Sequence, residues 1–243
     1  MDERLVRGFP ETRHSALAAV RSADAHERAR GVATVASVYW RPVYSYVRHR
    51  WRESPEEAAD IAQEFFAEVL EKGLLLRFEP QRARLRTFLR NCIDGVVVNR
   101  RKAASRQKRG GGAAHVPIEV GDLREVDEEI QALAAADSPE RMFEKEWARA
   151  VFATALRRLR EACSDAGKAQ HYAVFEQSDL VAGERPSYAE LAERFGIEVT
   201  DVTNRLFRIR RELRRTLLDV LRELTASEEE FREEARALLG DVR

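Results

Sequence analysis

The sequence predicts an all-α protein: two helical domains joined by a flexible linker and followed by a C-terminal helix. Three observations predict it. Apolar residues recur at three- and four-residue spacings through 12–109 and again through 138–224. Helix-start signals, a serine with glutamate three positions on, stand just ahead of such runs at Ser54 and Ser187. Between the two periodic stretches, over 110–137, a run of glycines, a proline and an acidic patch interrupt the pattern, which reads as a linker.

Composition sets the outer bounds. The chain has 243 residues, 44% of them hydrophobic, enough for real cores. Lys plus Arg and Asp plus Glu both number 42, so the formal net charge is zero, which taken as a total argues against a nucleic-acid partner. The charge is segregated, however, basic over 82–109 and 205–215 and acidic over 122–129 and 228–234, and local patches set the field that a partner meets. Cys92 falls on an apolar helical face and Cys163 stands alone, without metal-site or disulfide spacing. With no signal peptide and no run long enough to span a bilayer, a reduced, cytoplasmic protein is expected. His14, His26, His49, His115 and His171 are scattered, and no phosphate loop, nucleophile elbow or dinucleotide fingerprint is present. No catalytic residue, metal or cofactor is therefore expected.

In chain order, 12–51 reads as helices. Ala16, Leu17, Ala19 and Val20 form a short apolar patch, 22–24 break it, and Ala29, Val32, Ala33, Val35 and Ala36 resume it. Pro42 is placed at the start of a further helix, where its missing N–H is tolerated. Tyr39, Trp40, Tyr44, Tyr46 and Trp51 have the spacing of a packed face and are expected in a core or at its rim.

The next helix opens with Ser54 as N-cap, Pro55 at the first helical position and Glu57 completing a capping box. Ala58, Ile61, Ala62, Phe65, Val69 and Leu70 share one face, while Glu57, Asp60, Glu64, Glu68 and Glu71, with Gln63, take the other. Charge alone fits a solvated face. Gly73 ends this helix. Another begins near Leu85, its core stripe being Leu85, Phe88, Leu89, Cys92, Ile93, Val96 and Val97. Arg82, Arg84, Arg86 and Arg90 cluster in the loop and first turns; Asn99, Arg100, Arg101, Lys102, Arg106, Lys108 and Arg109 load the far end. A cation at a helix C-terminus stabilises the helix by roughly 0.3–1 kcal/mol, but one or two suffice for that. The excess points to a phosphate-binding surface.

The segments EEAADIAQEFF, FEPQRARLRTFL and QKRGGG of this stretch resemble region two of a bacterial RNA polymerase sigma factor of the extracytoplasmic-function class. In that family the acidic helix docks on the beta-prime subunit of core polymerase, and the loop and helix that follow capture and open the minus-ten promoter element. The resemblance implies that Glu57, Asp60, Gln63 and Glu64 face polymerase. It implies that Arg82, Arg84, Arg86, Arg90, Asn91, Asn99, Arg100 and Arg101 face minus-ten DNA. After Asn99, where relatives often carry an acid and an aromatic, this chain has Arg100 and Arg101. An aromatic is the usual platform for an unstacked base.

Beyond the linker, Ser138 is an N-cap followed by Pro139, and Phe143, Trp147, Ala150, Val151, Ala155, Leu156 and Leu159 form a buried stripe. A helix around 171–175 follows. In PSYAELAERFGIEVTDVTNRLFRIRRELRRTLL, Ser187 and Glu190 make a capping box, Gly196 turns the chain, and Val202, Leu206, Ile209 and Leu213 point inward on a second helix from about Thr200. This is a helix-turn-helix, whose second helix offers its outward residues to base edges. Thr203, Asn204, Arg205, Phe207 and Arg208 are the candidates, and in the resemblance this is region four, which reads the minus-thirty-five element. The tail, 225–243, is a helix started by Ser227 and Glu230 with Phe231, Ala235, Leu238 and Leu239 as its stripe. It is too short to stand alone and must pack on something: as a buttress for the helix-turn-helix, or as an acidic lid over the arginines of its recognition helix.

The resemblance extends, part by part and in order, over nearly the whole chain. It implies a sigma factor that binds core polymerase through the beta-prime and beta subunits and directs it to promoter DNA, with an anti-sigma factor or the C-terminal helix as a restraint. The competing expectation is a stand-alone helix-turn-helix regulator, or an adapter-like relative that does not engage polymerase.

Overall fold

The computed structural model describes residues 16–104, 123–134 and 137–240. The side chains of Arg106, Lys108 and Arg109, the linker over 110–122, His14, His115 and the expected domain start at 12 lie outside them. Among the described residues the chain is all-α, without a strand. It divides into two compact units, Met1–Ala150 with Leu221–Arg243, and Val151–Val220. The start of the second helical stretch and the whole tail belong with the first unit.

Unit 1 begins with α1 (Ala16–Val20) and α2 (Ala25–Tyr46). Asp24 caps α2 by accepting the Glu27 N–H at 2.9 Å. Pro42 lies inside α2 instead of starting a new helix. A proline in a helix interior costs about 3 kcal/mol, and the buried run Val38, Tyr39, Trp40, Val43, Tyr44 and Tyr46 around it holds the helix together. The aromatic residues among these are core, as their spacing predicts: Trp40 stacks on Tyr44 with centroids 5.2 Å apart. The chain continues into a π-helical turn, Val47–Trp51.

Gly31 marks where α1 crosses α2. A β-carbon there would sit 2.7 Å from the backbone of both Ala16 and Val20. Gly to Ala in an exposed helix interior ordinarily stabilises by about 1 kcal/mol; here the backbone clash reverses the sign. Gly31→Ala is expected to destabilise unit 1 by about 1–3 kcal/mol, the usual range for overpacking, and to free α1, read as faster tryptic cleavage at Arg21. An unchanged cleavage rate and denaturation midpoint would show that α1 yields without loss.

Helix α3 (Pro55–Glu71) carries the expected capping box, and Gly73, at φ 58°, ends it in the left-handed region. Ala58, Ile61, Phe65, Phe66 and Val69 are buried, so α3 runs through the middle of the unit. Helix α4 (Leu85–Ala104) begins where expected. Helix α5 (Leu123–Ala134) was not foreseen: 12 residues of the expected linker form a helix with Val126 and Ile130 buried. It is pinned by Asp127, which accepts from the Tyr44 hydroxyl at 2.8 Å and from Arg48 at 2.7 and 2.9 Å. The Arg48 guanidinium, then the Tyr44 hydroxyl, hold the Asp127 carboxyl below its ordinary value against the opposing effect of burial.

Helix α6 (Pro139–Asp165) contributes Met142, Phe143 and Trp147 to the core of unit 1, where Phe143 packs against Tyr39 and edge-on against Tyr46. After α7 (Ala169–Asp179), α8 (Tyr188–Phe195) and α9 (Val199–Leu224), the tail forms α10 (Glu228–Leu239). The Glu230 carboxylate accepts the Leu85 N–H at 2.8 Å and the Ala226 N–H at 2.9 Å. Glu230 thus satisfies two backbone donors, one of them an otherwise orphaned N–H at the start of α4.

Unit 2 is built on its own core of Leu159, Tyr172, Val174, Phe175, Leu191, Val202, Leu206 and Ile209, with Phe195 and Ile197 packed against it. The Ser187–Glu190 capping box opens α8, and Gly196, at φ 63°, supplies the left-handed turn into α9. A residue with a β-carbon is disfavoured in that conformation. Two helices, α8 and α9, thus meet at the glycine turn that the sequence pattern places at 196.

Candidate functional site

Two surfaces gather the candidate residues, one on each unit. On unit 1, α3 and α4 lie side by side, and the cleft between them, about 190 Å³, is lined by Glu53, Glu57, Ile61, Val97, Arg100 and Arg101. Arg100 reaches Glu64 at 2.8 Å and approaches Asp60 at 3.9 Å. Arg101 pairs with Glu53 at 2.7 Å and donates to the Trp51 carbonyl at 3.0 Å. Its guanidinium also lies over the Trp51 ring, 4.8 Å from the centroid. The indole is fixed from behind, because its N–H donates to Asp94 at 2.9 Å and Asp94 also accepts from the Tyr46 hydroxyl.

The residues assigned from the sequence to polymerase and to DNA therefore meet. Glu57 and Asp60 are exposed, Gln63 and Glu64 half-buried, and Glu64 spends its charge on Arg100. Asn91 and Asn99 are exposed on α4. Arg82 is exposed and paired with its neighbour Glu79. Chemically the cleft offers carboxylate acceptors, guanidinium donors and an apolar floor, and it is smaller than the roughly 300–1,000 Å³ pockets that hold drug-sized ligands. Trp51 and Glu53 were not among the sequence candidates. The signal that could have found Trp51 was its position at the end of an aromatic run, next to the polar stretch that precedes Ser54.

Three other arginines of the set do not share this surface. Arg84 pairs with Glu233 at 2.6 Å. Arg90 is mostly buried, 5.7 Å from the Phe143 centroid and 4.0 Å from Glu144. Arg86 departs furthest from the expectation of a DNA-facing side chain, being only 9% exposed. It is held between Glu144, Glu234 at 2.8 Å and the face of Trp147 at 4.5 Å. Of the acids of α10 that the lid expectation aimed at the recognition helix, Glu230, Glu233 and Glu234 are engaged here, inside unit 1, while Glu228 pairs with Arg232 of its own helix.

On unit 2, Thr203, Asn204, Phe207 and Arg208 are exposed along α9, whose other side is buried through Val202, Leu206 and Ile209. Arg205 is half-buried and donates to Gln170 at 2.6 Å, while Gln170 in turn donates to the Phe195 carbonyl at 3.0 Å. Arg210 makes a two-pronged pair with Asp179, at 2.7 and 2.8 Å. These pairs brace α9 against α7 and leave Thr203, Asn204, Phe207, Arg208 and Arg211 as its solvent-facing row. Burial, then the charges of Arg205, Lys168 and Arg208, lower the His171 imidazole from its ordinary value.

Among the described residues no helix is long and apolar enough to cross a membrane, and no group of three or more His, Cys, Asp or Glu could hold a metal ion. Comparison with models of known protein families, with curated proteins and with solved structures returns no match.

Proposed function

We propose that this chain is a sigma factor of the extracytoplasmic-function class, which binds core RNA polymerase and directs promoter-specific initiation. The observation that carries the reading is a pair of surfaces on separate compact units. One is an α3–α4 cleft of guanidinium and carboxylate groups flanked by Trp51; the other is a helix-turn-helix whose second helix exposes Thr203, Asn204, Phe207 and Arg208. A cleft of that size, with the Arg100 and Arg101 guanidinium groups above Ile61 and Val97, suits one base taken out of the stack. A recognition helix suits duplex read through base edges. The exposed ends of Glu57 and Asp60 are then the polymerase contact, and the polymerase supplies the chemistry.

One observation favours a second reading, a helix-turn-helix regulator that does not engage polymerase: Arg100 takes up Glu64 and approaches Asp60, so part of the acidic surface is satisfied within the chain. Transcription with purified core polymerase separates the two. For a sigma factor, Asp60→Arg/Glu64→Arg is expected to lower promoter-specific transcripts by about 100-fold or more, because like charges brought together across an interface cost several kcal/mol. Adding Arg100→Glu restores the internal pair but not the docking face and also alters the cleft, so the triple variant is read by co-elution with core polymerase, which is expected to stay lost. Recovery in the triple variant would assign the acids to folding, and wild-type protein that never co-elutes with core polymerase would establish the regulator.

A further inference from the structure

Phe207 is 65% exposed, more than any other large hydrophobic side chain among the described residues. It cannot turn inward, since its neighbours Leu206 and Ile209 already fill the core of unit 2 on the other side of α9. Side chains on a helix lean toward its N-terminus, which sets the phenyl ring over the turn carrying Thr203 and Asn204, with Arg211 one turn behind and Arg208 beside it. Single apolar residues on a surface are ordinary. This one is set in a row of amide, hydroxyl and guanidinium groups suited to a polyanion, and leaving a phenyl ring in water forgoes about 1.5–3 kcal/mol of burial.

The major groove of a DNA duplex offers such a ring one kind of apolar partner. Of the four bases only thymine carries an alkyl group there, its C5-methyl. Resting on the reading of α9 as a DNA-recognition helix, we propose that Phe207 is a specificity-determining residue that selects thymine in the upstream element through this methyl group. Asn204 and Arg208 flank it and are suited to the adenine and guanine edges of neighbouring pairs. Phe207 makes no hydrogen bond to the base, so what it reads is the presence of the methyl group alone.

The test uses the full chain. A random duplex library first yields the sequence that wild-type protein selects, and each thymine of that sequence is then replaced by deoxyuridine, which lacks only the methyl group. At one position the replacement is expected to weaken wild-type binding by about fourfold, the equivalent of one buried methyl group. Phe207→Ala is expected to bind the thymine duplex more weakly, to be indifferent to deoxyuridine at that position, and to keep the wild-type preferences elsewhere. Deoxyuridine that is neutral at every position, or a Phe207→Ala loss that leaves the methyl discrimination intact, overturns the assignment while sequence-specific binding stands. If wild-type protein selects no sequence at all, the DNA-reading function of α9 falls and the role of Phe207 with it. The deoxyuridine series on wild-type protein needs no variant to fold.

Discussion

At pH 8, where Glu234 is charged, Arg86→Ala is expected to destabilise unit 1 by about 3–5 kcal/mol, the range found when one partner of a buried ion pair is removed. The cause is what the guanidinium leaves behind. Glu234 is 4% exposed and Glu144 is 35% exposed, and Arg86 lies against both carboxylates and against the Trp147 ring. Arg84 pairs with Glu233 next to this cluster, but at 42% exposure it is screened by water and cannot replace the lost charge. Deleting 226–243 removes Glu234 and the Glu230 cap on the Leu85 N–H together, and should destabilise the unit at least as much. The chain's three tryptophans, Trp40, Trp51 and Trp147, all belong to unit 1. Urea unfolding followed by tryptophan fluorescence therefore reports this unit separately from unit 2. A shift of less than about 1 kcal/mol for Arg86→Ala, the scale of an exposed ion pair, would mean that the cluster is looser than its burial implies.

Glu234→Gln is expected to act in the opposite direction and to depend on pH. Burial pushes the Glu234 carboxyl up to about 7, with Glu144 and Glu230 adding to the rise and Arg86 and Arg84 opposing it. The Arg86 contact at 2.8 Å leaves the Glu234 Oε2 without an aligned hydrogen bond. Because this carboxyl holds its proton more tightly folded than unfolded, the folded state binds the extra proton between about pH 4.5 and 7. Unit 1 should thus lose stability as pH rises through that window and level off above it. At 1.36 kcal/mol per pH unit the full effect is up to about 3 kcal/mol. Gln has the same shape and no charge, so the variant should be the more stable protein at pH 8, converge with wild type near pH 4.5, and lack the slope between. Parallel stability curves for the two proteins from pH 5 to 8 would show that Glu234 keeps its charge on Arg86 throughout.

What could be read in the sequence was local. The capping boxes at Ser54 and Ser187 and the turns at Gly73 and Gly196 each lie within a few residues, and the structure has them where the pattern puts them. What could not be read depends on partners remote in the chain. Arg86 has the same composition and setting as Arg82 and Arg84; only Glu144, 58 residues on, and α10, whose Glu230 is 145 residues from Leu85, make it a core residue. Helix α5 offers just Val126 and Ile130 amid acids, too little period to register, until Tyr44 and Arg48 meet Asp127. At the candidate cleft, α3 and α4 were both legible, but Trp51 looked like one more core aromatic because its Asp94 and Arg101 partners lie more than forty residues away.

Unit 1 draws its residues from both sides of unit 2. A ribosome making this chain completes the shorter unit before it supplies α10, although most of unit 1 has already emerged. Until then the Leu85 N–H lacks its Glu230 acceptor and Arg86 has only Glu144 for an anion. A product released after unit 2 would carry a finished helix-turn-helix on an unfinished partner. The unit whose residues emerge first is thus the one whose contacts are completed last.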